Sequence, residues 1–254
     1  MSFNNILFIK IPKLLNLFSI FLNTKVIKSR NLKFKILSNN WITKYRGRTF
    51  NEKEPDTLDW VDSNLKDDDY FFDIGANIGI YSLYAYKKNK NANIVAFEPE
   101  FSNLDQLKNN IIINKAIQNI KVFGIALSDE TNLSYLHIQD FTPGSALHTE
   151  STKDIKITKN GKKVIFKEGI ATYKLDDIVK ITGMSPNLIK IDVDGNEIKI
   201  LNGAKNTLKN KNLRSIIIEI EDHSNDDKII KELLEENGFK FFSKRNYNQI
   251  WNRK

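Results

Sequence analysis

The spacing of apolar positions changes along the chain, and the period sorts the elements. From residue 70 onward, short continuous apolar runs alternate with segments at helical spacing. Tyr70–Ile74, Asn93–Phe97, residues 120–126 (broken at Gly124), Leu188–Ile191 and residues 215–220 read as strands. Residues 79–88, 101–114, 195–209 and 226–237 read as helices, the last closed by Gly238. Strands that are apolar throughout belong in a sheet covered on both faces. Residues 239–243 and 248–251 predict a closing antiparallel hairpin. The pattern is α/β: a mostly parallel sheet with one reversed strand.

The flanking regions are less regular. Leu32–Leu37 and residues 41–45 are strand-like. Residues 55–65 read as a helix, because Pro55, Asp56 and Asp59 favour a helix start. Residues 133–138, 155–157 and 164–166, with the Asn160-Gly161 turn signal, suggest hairpins. Residues 171–174 lead into a short helix over 175–181. The organisation expected is a basic N-terminal arm, residues 1–53, and one domain, residues 54–254.

Charge sharpens that division. Residues 1–50 carry ten Lys or Arg, and no acid precedes Glu52; the remainder carries 29 basic and 31 acidic residues. The net charge of +8 therefore belongs to the arm, which argues against nucleic-acid binding by the domain itself. Residues 6–22 are too interrupted for a membrane span. As a helix they place Lys13, Asn16, Ser19 and Asn23 on one face, with Leu14, Leu15, Phe18, Phe21 and Leu22 on the other. Such a helix can rest on an anionic membrane surface, pack on its own domain or join a second subunit of a homo-oligomer. The chain has no cysteine, which excludes disulfides, thiolate metal sites and a cysteine nucleophile. That composition suits a reducing, cytoplasmic compartment, with membrane association through the arm as an option.

The chemistry concentrates in Asp73-Ile-Gly-Ala-Asn-Ile-Gly79 and Phe97-Glu-Pro99. A strand ends in a carboxylate, glycines turn the chain into a helix, and the next strand ends in another carboxylate. This is the start of a nucleotide-type βαβ cradle. Gly75 permits the tight turn and Gly79 the close helix–strand packing, with Ala76 and Asn77 between them. Glu98 stands where a carboxylate accepts from both ribose hydroxyls, and Pro99 turns the chain away. Asp73 would repel a pyrophosphate, which argues against a nicotinamide dinucleotide. It suits a phosphate-free, cationic nucleoside such as S-adenosylmethionine.

Further blocks complete a recognisable order: Glu54-Pro-Asp-Thr-Leu-Asp-Trp60, Ile125-Ala-Leu-Ser-Asp129, Leu175-Asp-Asp177, Ile189-Lys-Ile-Asp-Val-Asp-Gly-Asn-Glu197, Leu201-Asn-Gly-Ala204 and Ile218-Glu219. The chain resembles the FkbM-type S-adenosylmethionine-dependent methyltransferases across roughly residues 54 to 243. The resemblance implies the doubly wound, Rossmann-like class I methyltransferase fold, with Asp73, Gly75, Asn77 and Glu98 facing the cofactor. It implies that Ala126, Leu127 and Ser128 or Asp129 lie near adenine, and that a serine such as Ser145 lies near the site. Asp194 before Gly195 departs from the glutamate many members carry, and residues 137–170 show little resemblance. Members commonly methylate hydroxyls of sugars or secondary metabolites, so the expected acceptor is a saccharide or small-molecule hydroxyl.

A sugar hydroxyl needs a general base within reach. Asp192, Glu219 and His223 follow strand ends where such a group belongs. Asp192 could instead brace the turn before Gly195, Glu219 could form an ion pair, and His223 could be a plain loop residue. Asp194 and Glu197 have capping-box spacing; an oxygen-only metal site using them has no recognisable calcium-loop pattern, so none is assigned. Residues 141–146 could form a lid. Alternatives to O-methylation are an RNA or acidic-polymer methyltransferase recruited by the basic arm, and a non-catalytic cofactor-binding or docking module.

Overall fold

The computed structural model describes residues 22–158, 161–220 and 226–254. Most of the amphipathic stretch 6–22, residues 159–160 and His223 lie outside the described residues.

Seven strands form the central sheet: β3 (Tyr70–Ile74), β4 (Asn93–Phe97), β5 (Ile120–Phe123), β10 (Leu188–Ile191), β11 (Ser215–Glu219), β12 (Phe239–Arg245) and β13 (Asn248–Arg253). Their order is β12-β13-β11-β10-β3-β4-β5. β13 runs antiparallel to both neighbours, while the pairs from β11 to β5 are parallel, as the sequence predicts. Alternate residues of each strand feed two cores. Phe71, Ile94, Leu188 and Ile217 enter one, and Phe72, Val95, Ile189 and Ile216 the other. Helices α3 (Ile80–Lys88) and α4 (Phe101–Ile113) connect the first three strands. Further along are α5 (Leu175–Thr182) and α8 (Asp226–Glu236), the latter followed by Gly238 at φ 84°.

Several expectations change. Residues 24–53 are not an appended arm. Strands β1 (Thr24–Ser29) and β2 (Leu32–Leu37) form a hairpin, and Ile27, Phe34, Ile36 and Phe50 join the core containing Phe71. Side chains of α4 complete the free edge of β2. Asn114 bridges both backbone groups of Lys35 at 2.9 and 2.6 Å, and Asn110 Oδ1 accepts from the Leu37 amide at 2.7 Å. The strand-like run 41–45 opens a helix, α1 (Trp41–Lys53). Asn40 caps it, accepting from the Thr43 amide at 2.9 Å, and Thr43 completes the reciprocal box. The single helix expected over 195–209 is two, α6 (Glu197–Asn202) and α7 (Lys205–Lys209). They part at Gly203, where a Cβ would sit 2.1 Å from the Ser128 carbonyl oxygen. Helix α2 (Pro55–Asn64) follows α1 as expected.

A four-stranded sheet forms the cover: β6 (Ala126–Leu127), β7 (Asn132–Ile138), β8 (Thr149–Glu150) and β9 (Phe166–Tyr173), in the order β6-β9-β7-β8. Residues 164–166 and 171–174 belong to or border one long strand, β9. The hairpin expected over 155–166 is reduced to an isolated bridge between Ile157 and Lys163.

Candidate active site

A cleft of about 260 Å³ opens at the carboxyl ends of β3, β4, β10 and β11, beneath the small sheet. Its floor starts at the glycine turn. Gly75 has φ 78°, and a Cβ there would lie 1.9 Å from the Asp192 carbonyl oxygen. Only glycine allows the turn after β3 to press against the turn after β10. Gly79, at φ 79°, is the N-cap of α3, and a Cβ would lie 3.0 Å from Leu107 Cγ. Gly79 therefore shapes the turn from behind and does not line the cleft.

Every amide of this turn has an internal partner. Gly75 and Ala76 both donate to the Phe97 carbonyl at 3.0 Å, and Gly79 donates to the Ala76 carbonyl at 2.8 Å. The Asn77 amide donates to Glu98 Oε2 at 2.7 Å, and the Ile78 amide to Asn77 Oδ1 at 2.9 Å. Glu98 Oε1 accepts from the Glu100 amide at 3.0 Å. Two backbone donors thus fix the Glu98 carboxyl at the tip of β4, where it lines the cleft. Each of its oxygens keeps acceptor capacity for a ligand hydroxyl. Burial pushes this group up to about 8, against the opposing pull of the Glu100 and Asn77 amides.

Asp73 is treated differently. It is fully buried, accepts from Ser82 Oγ at 2.6 Å, and lies 3.9 Å from Lys190 Nζ. Its carboxylate does not line the cleft, so the picture of two acidic strand tips gripping one ligand reduces to Glu98 alone. Among the other expected cofactor residues, Pro99, Ala126 and Leu127 line the cleft. Ala76 borders a small side pocket beside it, and Ser128 faces a different recess, bonded to Asp129 at 3.1 Å.

The opposite wall brings Asp192 and Glu219 together. Lys190, 3% exposed, donates to Asp192 Oδ2 at 2.9 Å, with its ammonium 4.9 Å from the Tyr81 ring centre. Burial raises Asp192, but Lys190, a hydrogen bond from Glu219 and the Lys53 charge outweigh it and hold the group well below the usual carboxylate range. Glu219 is driven upward by the Asp192 charge, its hydrogen bond to Asp192 and burial, so it holds the proton of the pair.

Asp194 does not form the expected capping box. Helix α6 has no side-chain cap bond, the Gly195 amide donates to Glu197 at 3.1 Å, and Asp194 accepts from the Leu147 amide at 2.5 Å. Burial, then the neighbouring Asp192 charge, push Asp194 up to about 7.

The roof is the segment 140–148. Asn40 donates to the Pro143 carbonyl at 3.0 Å, and Arg46 Nε to that of Gly144 at 2.7 Å. The Ser145 carbonyl accepts from Asn77 at 2.7 Å and Asn103 at 3.1 Å. Ser145 Oγ donates to the Asp140 carbonyl at 2.9 Å and sits 3.1 Å from His148 Nε2. His148, Arg46, Lys53 and Glu150 line the cleft without having been singled out in the sequence. Only the fold brings them there. His137, by contrast, is buried against Thr149 and Ile155.

These residues fit the methyl donor the sequence resemblance implies. Glu98 offers acceptors for a ribose diol, and Ile125, Ala126 and Leu127 form an apolar wall beside it for a purine. Gly75 lets the backbone come close, and the turn amides of residues 75 to 79, all engaged within the protein, form no phosphate-binding set. No described helix is long and apolar enough to cross a membrane.

Comparison with known proteins agrees with this arrangement. The chain is 27% identical over 197 residues to Methyltransferase sdnD of Sordaria araneosa, covering 70% of this chain and 76% of that one. It is 28% identical over 188 residues to Hexuronic acid methyltransferase AglP of Haloferax volcanii, covering 72% and 68%. It is 23% identical over 182 residues to 31-O-demethyl-FK506 methyltransferase FkbM of Streptomyces tacrolimicus, covering 62% and 67%. The Methyltransferase FkbM domain model matches residues 73–241, more than half of the sequence. The chain belongs to that family of methyltransferases, whose methyl donor is S-adenosylmethionine.

Proposed function

We propose that the protein transfers a methyl group to a hydroxyl oxygen of a saccharide or similar polyhydroxyl acceptor. The observation that carries this reading is Asp192 on the cleft wall, held by the buried Lys190 ammonium at 2.9 Å with Glu219 on the same wall. Asp194, Asn196 and Glu150 extend the same wall. Carboxylates and amides accept from and donate to hydroxyl groups, which suits a neutral polyol. The Haloferax relative is named for a hexuronic acid and the Streptomyces relative for a 31-O-demethyl substrate, and both names agree with an oxygen acceptor.

S-adenosylmethionine supplies an activated methyl carbon, so catalysis is largely a matter of holding the acceptor in line. Asp192 accepts a hydrogen bond from the acceptor hydroxyl and aims its lone pair. As the new C–O bond forms and the C–S bond breaks, the hydroxyl proton passes to Asp192. The oxygen becomes strongly acidic as it is alkylated, so even a carboxylate with a lowered pKa is a competent base. Glu219 keeps its proton and orients Asp192. Glu98 holds the ribose, and the roof segment excludes water from the reacting atoms.

The test is incubation with isotope-labelled S-adenosylmethionine and a panel of neutral and acidic saccharides, with product mass spectrometry. Label on a saccharide hydroxyl oxygen supports the reading; label only on carboxyl oxygens, on nitrogen acceptors or on RNA overturns it.

A further inference from the structure

We propose that Arg46 binds the carboxylate at the methionine end of the methyl donor. The proposal rests on the donor site described above and not on the identity of the acceptor.

The cleft has a direction. Glu98 at β4 and the wall at residues 125–127 take the nucleoside end. The amino-acid end must then extend across β3 toward β10, where Gly75, Asn77 and Asp192 form the floor. A carboxylate arriving there needs donors or a cation. The glycine turn does not supply them, because the amides of residues 75 to 79 are all engaged within the protein.

Arg46 meets the need. It lines both the main cleft and a side pocket of about 30 Å³ that shares Gly75, Asn77 and Asp192 with it. Its Nε is fixed on the Gly144 carbonyl at 2.7 Å, which orients the guanidinium. Among the described residues no carboxylate lies within ion-pair distance of it. Lys53 and Lys190, the other cations here, are paired with Glu54 at 3.0 Å and with Asp192 at 2.9 Å. Arg46, Thr49, Phe50 and Lys53 fall at helical spacing on one face of α1 and line the side pocket together. A guanidinium with its two outer nitrogens available is suited to a carboxylate. Helix α1 precedes residue 73, where the family match begins, so the family pattern does not assign this residue.

The test is calorimetry with three probes: S-adenosylhomocysteine, its methyl ester and 5′-methylthioadenosine, which has no amino-acid part. The unaltered protein should bind the acid roughly 10- to 100-fold tighter than the ester, as the loss of a charge-assisted contact implies. Arg46→Met should lower S-adenosylhomocysteine affinity by a similar factor and leave methylthioadenosine unchanged, and Arg46→Lys should recover part of the loss. Equal binding of acid and ester by the unaltered protein overturns the proposal without any variant. So does Arg46→Met binding S-adenosylhomocysteine normally, or losing methylthioadenosine equally, which would mark a role only in holding Gly144. Failure of all three probes to bind the unaltered protein would remove the donor site itself, and the proposal with it.

Discussion

The floor and the roof of the cleft are built by different means. The floor is made of parallel strand tips whose backbone groups bind one another: Gly75 and Ala76 to Phe97, Glu98 to Phe123, Asp192 to Ile74. The roof is a loop hung from side chains of distant segments, Asn40, Arg46, Asn77 and Asn103. Floor geometry follows from local turn chemistry and strand pairing. Roof geometry follows from contacts that no local spacing encodes. The difference predicts that donor binding is robust in this fold, whereas the acceptor side varies with the loop that covers it.

The largest expected effect strikes beneath the floor. Lys190→Met leaves Asp73 and Asp192 without their shared cation, and unpairing a buried charge costs about 3–5 kcal/mol. Urea unfolding should show that loss, and an unchanged midpoint would mean the ion cluster is not stabilising. Asp192→Asn should lower kcat by roughly 10²–10⁴ while donor affinity stays within a few-fold; unchanged kcat would remove Asp192 from the chemistry. Glu98→Ala should weaken donor binding by about 1.5–3 kcal/mol, read by calorimetry, and unchanged affinity would take Glu98 out of the site.

The pH dependence of ligand-free stability tests the same floor. Glu98 is raised to about 8 and Asp194 to about 7, both mainly by burial. A folded pKa above the unfolded one gives stability that is fully present below the unfolded value and lost as pH rises through the folded one. The thermal unfolding midpoint should therefore fall from about pH 5 to 8, and Glu98→Gln should flatten the slope; a slope unaffected by that substitution contradicts the assignment. The smallest effect belongs to the roof. Asn103→Ala removes one donor to Ser145 and the acceptor for the Gly144 amide, costing about 1 kcal/mol of stability. It should raise the acceptor KM more than the donor Kd, and the reverse order would reject the division between floor and roof.

The same contrast explains what could be read from the chain. The strands, the reversed β13 and the cradle from Gly75 to Glu98 are local patterns, and the fold follows them. The position of Asp73 before the glycines says nothing about direction: its side chain points under the turn, toward Ser82 and Lys190. The helix at 41–53 was hidden behind Trp41 and Tyr45, although Asn40 and Thr43 carried the capping signal. Arg46 and His148 had no signal in spacing, because α1 and the roof reach the cleft only after the chain has folded.

Hanging a loop from separate points also sets a timetable. Lifting it far enough to exchange a spent donor means breaking several bonds worth about 1 kcal/mol each, to three successive carbonyls, the last of them held by both Asn77 and Asn103. Departure of the demethylated nucleoside is then expected to be slow beside alkylation, and a burst of product in the first turnover would show it.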